Sequence, residues 1–167
     1  CFNYFYKGEL INIKYRAVSD KDFILEKNAE VLMYNLDSLI NATECCIVEG
    51  EIDALTLVEC GFKAVVSVPN GATKKDSSVN CSYLDNYMDL FLKMKKVYIF
   101  TDNDEVGINL KTELARRIGF EKCWQVSHLP DCKDANEILL KYGRKTVIEA
   151  VKHSIEFPIK GVFSAQE

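Results

Sequence analysis

Four short apolar runs alternate with segments of helical spacing, and this alternation limits the possible folds more than any other feature. The runs lie at 45–48, 64–68, 97–100 and 122–127. Helical spacing is found at 53–60, 83–94, 106–118, from 135 onward and at 146–153. Short strands without a polar face are typical of a parallel sheet that helices cover on both sides. The pattern therefore predicts an α/β fold.

A β-hairpin is predicted ahead of this unit, because two apolar-rich runs flank Lys7 and Gly8. In the second run Lys14 and Arg16 alternate with apolar residues, so both cations lie on one face of the strand. That face is either a solvated surface or a basic ridge directed at phosphates. Residues 17–44 form a polar connector with a short strand or turn near 31–36. We expect a domain boundary near residue 40, with one unit at 1–40 and a second at 41–156.

Composition excludes several classes of protein. The 167 residues are 48% hydrophobic and 28% charged, as expected of a globular domain rather than a disordered chain. No apolar run reaches the ~20 residues of a membrane helix, and we expect a cytoplasmic protein without a membrane partner. A net charge of -4 is not the overall basic charge that is typical of a nucleic-acid-binding protein. The charges are, however, segregated along the chain.

The cysteines predict buried, reduced thiols. There are seven of them, and no two are spaced as C-x-x-C. An odd count without a secretory context argues against a disulfide framework, and the spacing argues against zinc.

Acidic residues follow the predicted strands. Glu49 and Gly50 follow the first strand, Asp102 and Asp104 follow the third, and Asp134 comes after the fourth. Ligands of parallel sheets bind beyond the carboxyl ends of the strands, where these acids would meet. Two like charges about 4 Å apart near a surface repel by ~4 kcal/mol, so protons or a cation must neutralise them.

Oxygen ligands of this kind favour Mg²⁺ or Mn²⁺. Asp104 also fits a plain helix N-cap. Glu51 and Asp53 are secondary, and Asp53 is better placed as a helix-start or site-orienting acid than as a ligand.

The order E-G, then D-x-D-x-x-G, then K-D resembles the Toprim family of primases, topoisomerases and nucleases. Within that family the chain is most similar to the primase core of bacteriophage- and Twinkle-type primase-helicases. The matching segments are VEGEIDALTLVECG (48–61), VSVPNGATKK (66–75), IFTDNDEVG (99–107) and LPDCKDANEIL (129–139).

The resemblance implies a Toprim fold, a compact Rossmann-like parallel sheet flanked by helices, and synthesis of RNA primers from ribonucleoside triphosphates on single-stranded DNA. It implies that Glu49 is a general base or acid and possible metal ligand, and that Asp102 and Asp104 bind Mg²⁺ or Mn²⁺. Asp134 matches a further acid, whereas Asn136 stands where bacterial replicative primases often have aspartate, which would weaken a second or third metal position. The expected supporting residues are Gly50, Asp53 and Asn136, and the expected nucleotide- and DNA-binding residues are Lys14, Arg16, Lys74 and Lys75.

Primases of this group carry zinc-binding and helicase domains, and neither their cysteines nor a G-x-x-x-x-G-K-[ST] loop occurs in this sequence. We therefore expect a monomeric catalytic core, weakly active or inactive alone, with residues 157–167 starting a linker toward a helicase. Three alternatives stay open: Toprim-type DNA cleavage, a catalytically silent scaffold, and a phosphorylation-receiver domain. The last is disfavoured because the first strand ends in Glu-Gly rather than in a pair of acids.

Overall fold

A computed structural model describes residues 1–19, 22–70 and 81–158 of the chain. The strands are β1 (Phe2–Tyr6), β2 (Glu9–Arg16), β3 (Phe23–Leu25), β4 (Glu44–Val48), β5 (Val65–Ser67), β6 (Lys96–Phe100), β7 (Cys123–Gln125) and β8 (Ile155–Glu156). The α-helices are α1 (Glu51–Glu59), α2 (Met88–Leu92), α3 (Glu105–Ile118), α4 (Ala135–Tyr142) and α5 (Arg144–Lys152).

The predicted parallel sheet is confirmed. Its strand order is β5-β4-β6-β7-β8, and neighbouring strands from β5 to β7 are parallel. Only the short edge strand β8 is antiparallel, and it was not predicted because two residues carry no periodic signal. The interior strand β4 is buried from Cys45 to Val48, with one apolar cluster on each face of the sheet. Burial on both faces explains why the strands read as continuous apolar runs.

The predicted hairpin is confirmed as the first part of a three-stranded antiparallel sheet, β1-β2-β3. Lys7 and Gly8 form its turn at φ of 52° and 79°. Both backbone amides donate to the carboxylate of Asp37, which fixes the turn against the rest of the chain. Positive φ at two successive positions is the geometry of a tight turn whose twist matches that of the strands.

The connector and the segment at 83–94 differ from the predictions. Strand β3 was missed, and within 31–36 only an isolated bridge between Tyr34 and Ser67 forms, before a 3₁₀ turn at Leu36–Leu39. The single helix predicted at 83–94 is wrong: a 3₁₀ turn at Ser82–Tyr87 precedes the five-residue α2. Its aromatic and aspartate-asparagine content gives weak helix propensity, so tertiary packing decides its form.

The two sheets share one hydrophobic cluster. Tyr4 and Leu36 from the N-terminal part pack in it together with Ile47 and Val66 of the parallel sheet. The boundary near residue 40 stays a prediction, and no gap in the packing marks it.

All seven thiols are free, and six are buried as predicted, whereas Cys1 is exposed. Across the described ranges, no helix combines the length and apolarity required to cross a membrane.

Candidate active site at the carboxyl edge of the parallel sheet

Glu49 and Asp102 meet because β4 and β6 are neighbours. Val48 pairs with Phe100 in the parallel register, so the residues that follow these strands emerge side by side. The backbone N–H of Asp102 donates to Glu49 Oε2 at 3.2 Å. Burial, followed by the negative charge of Asp102, raises the pKa of Glu49 to about 7. A carboxyl group with this pKa can both hold and release a proton near neutral pH.

The segment from Thr101 to Gly107 holds Asp102 and Asp104 in place. The buried Thr101 hydroxyl donates to the Gly107 carbonyl at 2.7 Å. Asp104 Oδ1 accepts the Gly107 N–H at 2.8 Å, so the capping interpretation of Asp104 is confirmed, and its side chain remains exposed. A Cβ at Gly107 would lie 2.2 Å from the Asp102 carbonyl oxygen. Only glycine therefore allows the first turn of α3 to pack directly on the Asp102 backbone.

Asp134 reaches the same edge through the loop before α4. The Asn103 N–H donates to the Lys133 carbonyl at 3.0 Å, which ties this loop to the D-x-D segment. Asp134 caps α4 by accepting the Glu137 N–H at 2.8 Å, and it forms an ion pair with Lys133 at 3.2 Å. Burial, followed by the charge of Asp134, raises the pKa of Asp102 to about 6.

Asp53 and Asn136 connect α1 to α4 behind these acids. Asp53 is buried, and its Oδ1 accepts the Asn136 N–H at 3.1 Å. The Asn136 amide donates to the Thr56 hydroxyl at 3.0 Å. A Cβ at Gly50 would approach Asp53 Oδ2 to 3.2 Å, so the absence of a side chain at Gly50 leaves space for the Asp53 carboxylate. These contacts fit the supporting role expected of Gly50, Asp53 and Asn136, which stays a prediction.

The acids share one edge but do not form a complete ligand set. Across residues 1–19, 22–70 and 81–158, no three His, Cys, Asp or Glu side chains are arranged to hold a metal ion. Mg²⁺ is usually held by one or two carboxylates together with waters and substrate phosphates. The oxygen donors of Asp102 and Asp104 suit that mode, with Glu49 beside them. The metal ligands, including Asp134, stay predictions.

The predicted basic residues divide into three groups. Lys14 is buried: its Nζ lies 2.7 Å from Glu51 Oε1 and 2.9 Å from the Pro69 carbonyl oxygen. The interpretation of its face as a solvated surface is therefore wrong at Lys14 and Asn12, which are both buried. Arg16 is exposed on the same face. Lys74 and Lys75 lie outside the described residues.

The buried pair of Lys14 and Glu51 is the main feature that the sequence pattern did not reveal. Tyr4 completes it by donating its hydroxyl to Glu51 Oε1 at 2.5 Å. Burial, followed by the Glu51 charge, raises the pKa of Tyr4 well above its ordinary value. The partners Lys14 and Glu51 are 37 residues apart, and no local spacing rule connects them. This cluster joins the N-terminal sheet to the start of α1.

A pH dependence of stability follows from Asp53. Burial, followed by the charge of Asp134, raises the pKa of Asp53 to about 7. Between the ordinary Asp pKa of ~3.9 and about 7, the folded protein holds a proton that the unfolded chain has released. The free energy of unfolding is therefore expected to fall as pH rises through this window.

Asp53→Asn removes the buried charge and keeps an oxygen for the Asn136 N–H. Without metal, it should raise the free energy of unfolding by about 1–2 kcal/mol at pH 8 and by much less at pH 5. Urea denaturation at both pH values measures this. Asp89→Asn, which neutralises an exposed acid on α2, is the control and should change little. An Asp53→Asn protein no more stable than wild type at pH 8 would contradict the raised pKa of Asp53.

Comparison with known proteins covers the segment that contains these residues. The Toprim-like family model matches residues 46–139. The chain is 37% identical to the Twinkle homolog protein, chloroplastic/mitochondrial, of Arabidopsis thaliana, over 99% of this chain and 25% of that protein. It is 38% identical to the Primase homolog protein of the same plant, over 95% of this chain and 51% of that protein.

A solved structure has a similar fold. It contains the bacteriophage T7 lagging-strand DNA polymerase interacting with primase domains bound to an RNA/DNA hybrid and dTTP. The TM-score is 0.75 at 25% identity, covering 93% of this chain and 78% of the matched chain. The chain spans 25% and 51% of the two plant relatives' lengths.

Proposed function

The chain belongs to the Toprim-like family, and from this premise we propose that it is the catalytic core of a DNA primase in a replicative primase-helicase. Its reaction would join ribonucleotides into a short RNA primer on a single-stranded DNA template. The observation that carries the proposal is the pairing of Glu49 with Asp102 at the carboxyl edge, beside an N-terminal sheet whose inner face carries Lys14 and Arg16.

The acids at the carboxyl edge would bind the metal ion and transfer protons. When bound at Asp102 and Asp104, Mg²⁺ or Mn²⁺ would acidify the attacking 3′-hydroxyl and neutralise charge on the reacting phosphates. Glu49, with a pKa of about 7, is suited to take up or return a proton at this edge. The Asp102 N–H holds one Glu49 oxygen in position. Asp134 would serve as a further ligand once substrate phosphates add their own oxygens.

The basic side would hold nucleic acid. Arg16 is exposed and suits phosphate recognition, because guanidinium presents a planar set of donors. Lys14 would contact a phosphate only by leaving Glu51, so its contribution in this structure is to join the two sheets. Lys74 and Lys75 are proposed phosphate contacts because they follow β5 in the sequence, as in the resemblance that first suggested them. An acidic edge beside a basic face accounts for a nucleic-acid enzyme with a net charge of -4.

Zinc-binding and helicase domains of a longer parent chain are the proposed partners, with residues 157–167 starting the connection to the helicase. The much greater length of the Twinkle homolog supports this arrangement. The core itself is proposed to be a monomer, and sedimentation should give a single species near 19.0 kDa. A stable hexamer of this chain would contradict that.

The deciding experiment incubates the chain with single-stranded DNA, labelled ribonucleotides and Mn²⁺, and separates the products on a sequencing gel. Labelled RNA products support the primase. Shortened DNA would support the alternative of Toprim-type cleavage, and bound metal with neither product would support a silent scaffold. The same assay on the parent chain with its other domains is required, and absence of primers there would overturn the proposal.

A further inference from the structure

Phe23 is an aromatic residue exposed on the same sheet face as the buried lysine. It pairs with Arg16 across β2 and β3, and residues directly opposite in an antiparallel pair share a face. Lys14 lies two residues before Arg16 on β2 and so shares that face too. Phe23 nevertheless remains 47% exposed. Its ring therefore lies on the Lys14 side of the N-terminal sheet while staying accessible.

Two cations lie over this ring, and the exposed remainder of the ring is the part open to a base. Lys14 Nζ lies 4.9 Å from the ring centroid, and the Arg16 guanidinium carbon lies 5.5 Å from it. Lys14 is held in turn by Glu51 and by the Pro69 carbonyl. These contacts link the aromatic ring through Lys14 to Glu51, which begins α1 two residues after Glu49.

A single exposed apolar residue is ordinary on a protein surface, and Ile24 shows the contrast. Ile24 follows Phe23 on β3, points to the opposite face of the sheet and is 69% exposed. No cation flanks it among the contacts of the described residues. An aromatic ring with cations beside it is the combination that binds single-stranded nucleic acid, where bases stack and phosphates pair with positive charge.

We propose that Phe23 is a stacking platform for a nucleobase, with Arg16 holding the adjoining phosphate. The proposal rests on the proposed function, because the acidic edge must receive a nucleotide or a template for the platform to be occupied. The ring would set the position of one base relative to Glu49 and Asp102. It would bind any base, since every base has a π-face.

The test measures binding of a fluorescein-labelled single-stranded oligonucleotide by anisotropy in Mn²⁺. Phe23→Ala should weaken binding about tenfold, Phe23→Trp should restore it, and Ile24→Ala should leave it within about twofold of wild type. An oligonucleotide with abasic sites should bind wild type about tenfold more weakly. It should show little further loss with Phe23→Ala, because no base remains to stack.

A second experiment distinguishes a template base from the base of an incoming nucleotide. It is a calorimetric titration with a ribonucleoside triphosphate alone. Weaker binding of only the oligonucleotide by Phe23→Ala would identify a template base, and weaker binding of only the ribonucleotide would identify the incoming nucleotide. If wild type binds either ligand and Phe23→Ala behaves like Ile24→Ala, the platform is overturned while the proposed function stands. If the wild-type protein binds neither, the platform is overturned, and the primer assay on the parent chain decides the proposed function separately. Thermal unfolding of each variant confirms that it is folded.

Discussion

Replacing both Asp102 and Asp104 with asparagine is expected to abolish saturable Mn²⁺ binding and to lower primer synthesis by on the order of a thousandfold. The two acids follow β6, and Asp102 lies beside Glu49. Asparagine removes their charge but retains a side-chain oxygen, so position 104 can still accept the Gly107 N–H that caps α3. The loss would therefore report on charge and metal rather than on folding.

Calorimetric Mn²⁺ titration measures the first effect, and the primer-synthesis gel with the parent chain measures the second. Asp89→Asn is the matched control, since it removes one exposed carboxylate far along the chain from the site. Full Mn²⁺ binding by the double variant would show that the metal is held by other groups. Retained primer synthesis would remove Asp102 and Asp104 from the chemistry.

Replacing Lys14 with methionine is expected to lower the free energy of unfolding by about 3 kcal/mol. Lys14 and Glu51 are 7% and 4% exposed, and their Nζ–Oε1 distance is 2.7 Å. Removing the lysine would leave the Glu51 carboxylate buried, with the Tyr4 hydroxyl still donating to it. An unpaired buried charge is costly, whereas the net contribution of an intact buried pair is small.

The second substitution tests this reasoning. Lys14→Met combined with Glu51→Gln should recover much of the lost stability, because the neutral amide can still accept from Tyr4. Lys93→Met, at an exposed lysine after α2, should change the free energy of unfolding by less than about 0.5 kcal/mol. Urea denaturation of the four proteins provides the double-mutant comparison. A Lys14→Met protein within 0.5 kcal/mol of wild type would contradict the buried-pair assignment.

The sheet and the acidic edge could be predicted from sequence because both follow from short-range patterns. Continuous apolar runs identify strands buried on both faces, and the carboxyl ends of parallel strands lie at one edge. Glu49 and Asp102 were therefore expected to meet, and their hydrogen bond confirms it. Gly107 was part of the sequence motif. The structure shows why glycine is needed there: the backbone at this position lies close to the Asp102 carbonyl.

The burial of Lys14 could not be predicted in this way. Alternation in β2 places Lys14 opposite the apolar side chains, which normally indicates the solvent side of a strand. Here the polar face turns inward, because Glu51 and the Pro69 carbonyl provide partners for the amine, and Tyr4 donates to the same Glu51 oxygen. That outcome depends on contacts between distant segments. Strand β3 was missed for a related reason: its three residues pair with β2 but carry no period of their own.

The shared hydrophobic cluster has a consequence for how the protein would receive its ligands. Tyr4 and Leu36 pack in the same cluster as Ile47 and Val66, so side-chain packing sets the spacing between the basic face and the acidic edge. Packed interiors resist deformation. The basic face and the acidic edge are therefore held at a fixed spacing, and a bound strand would meet them without a preceding hinge motion. Little conformational entropy would be lost on binding, which leaves more of the contact energy as affinity.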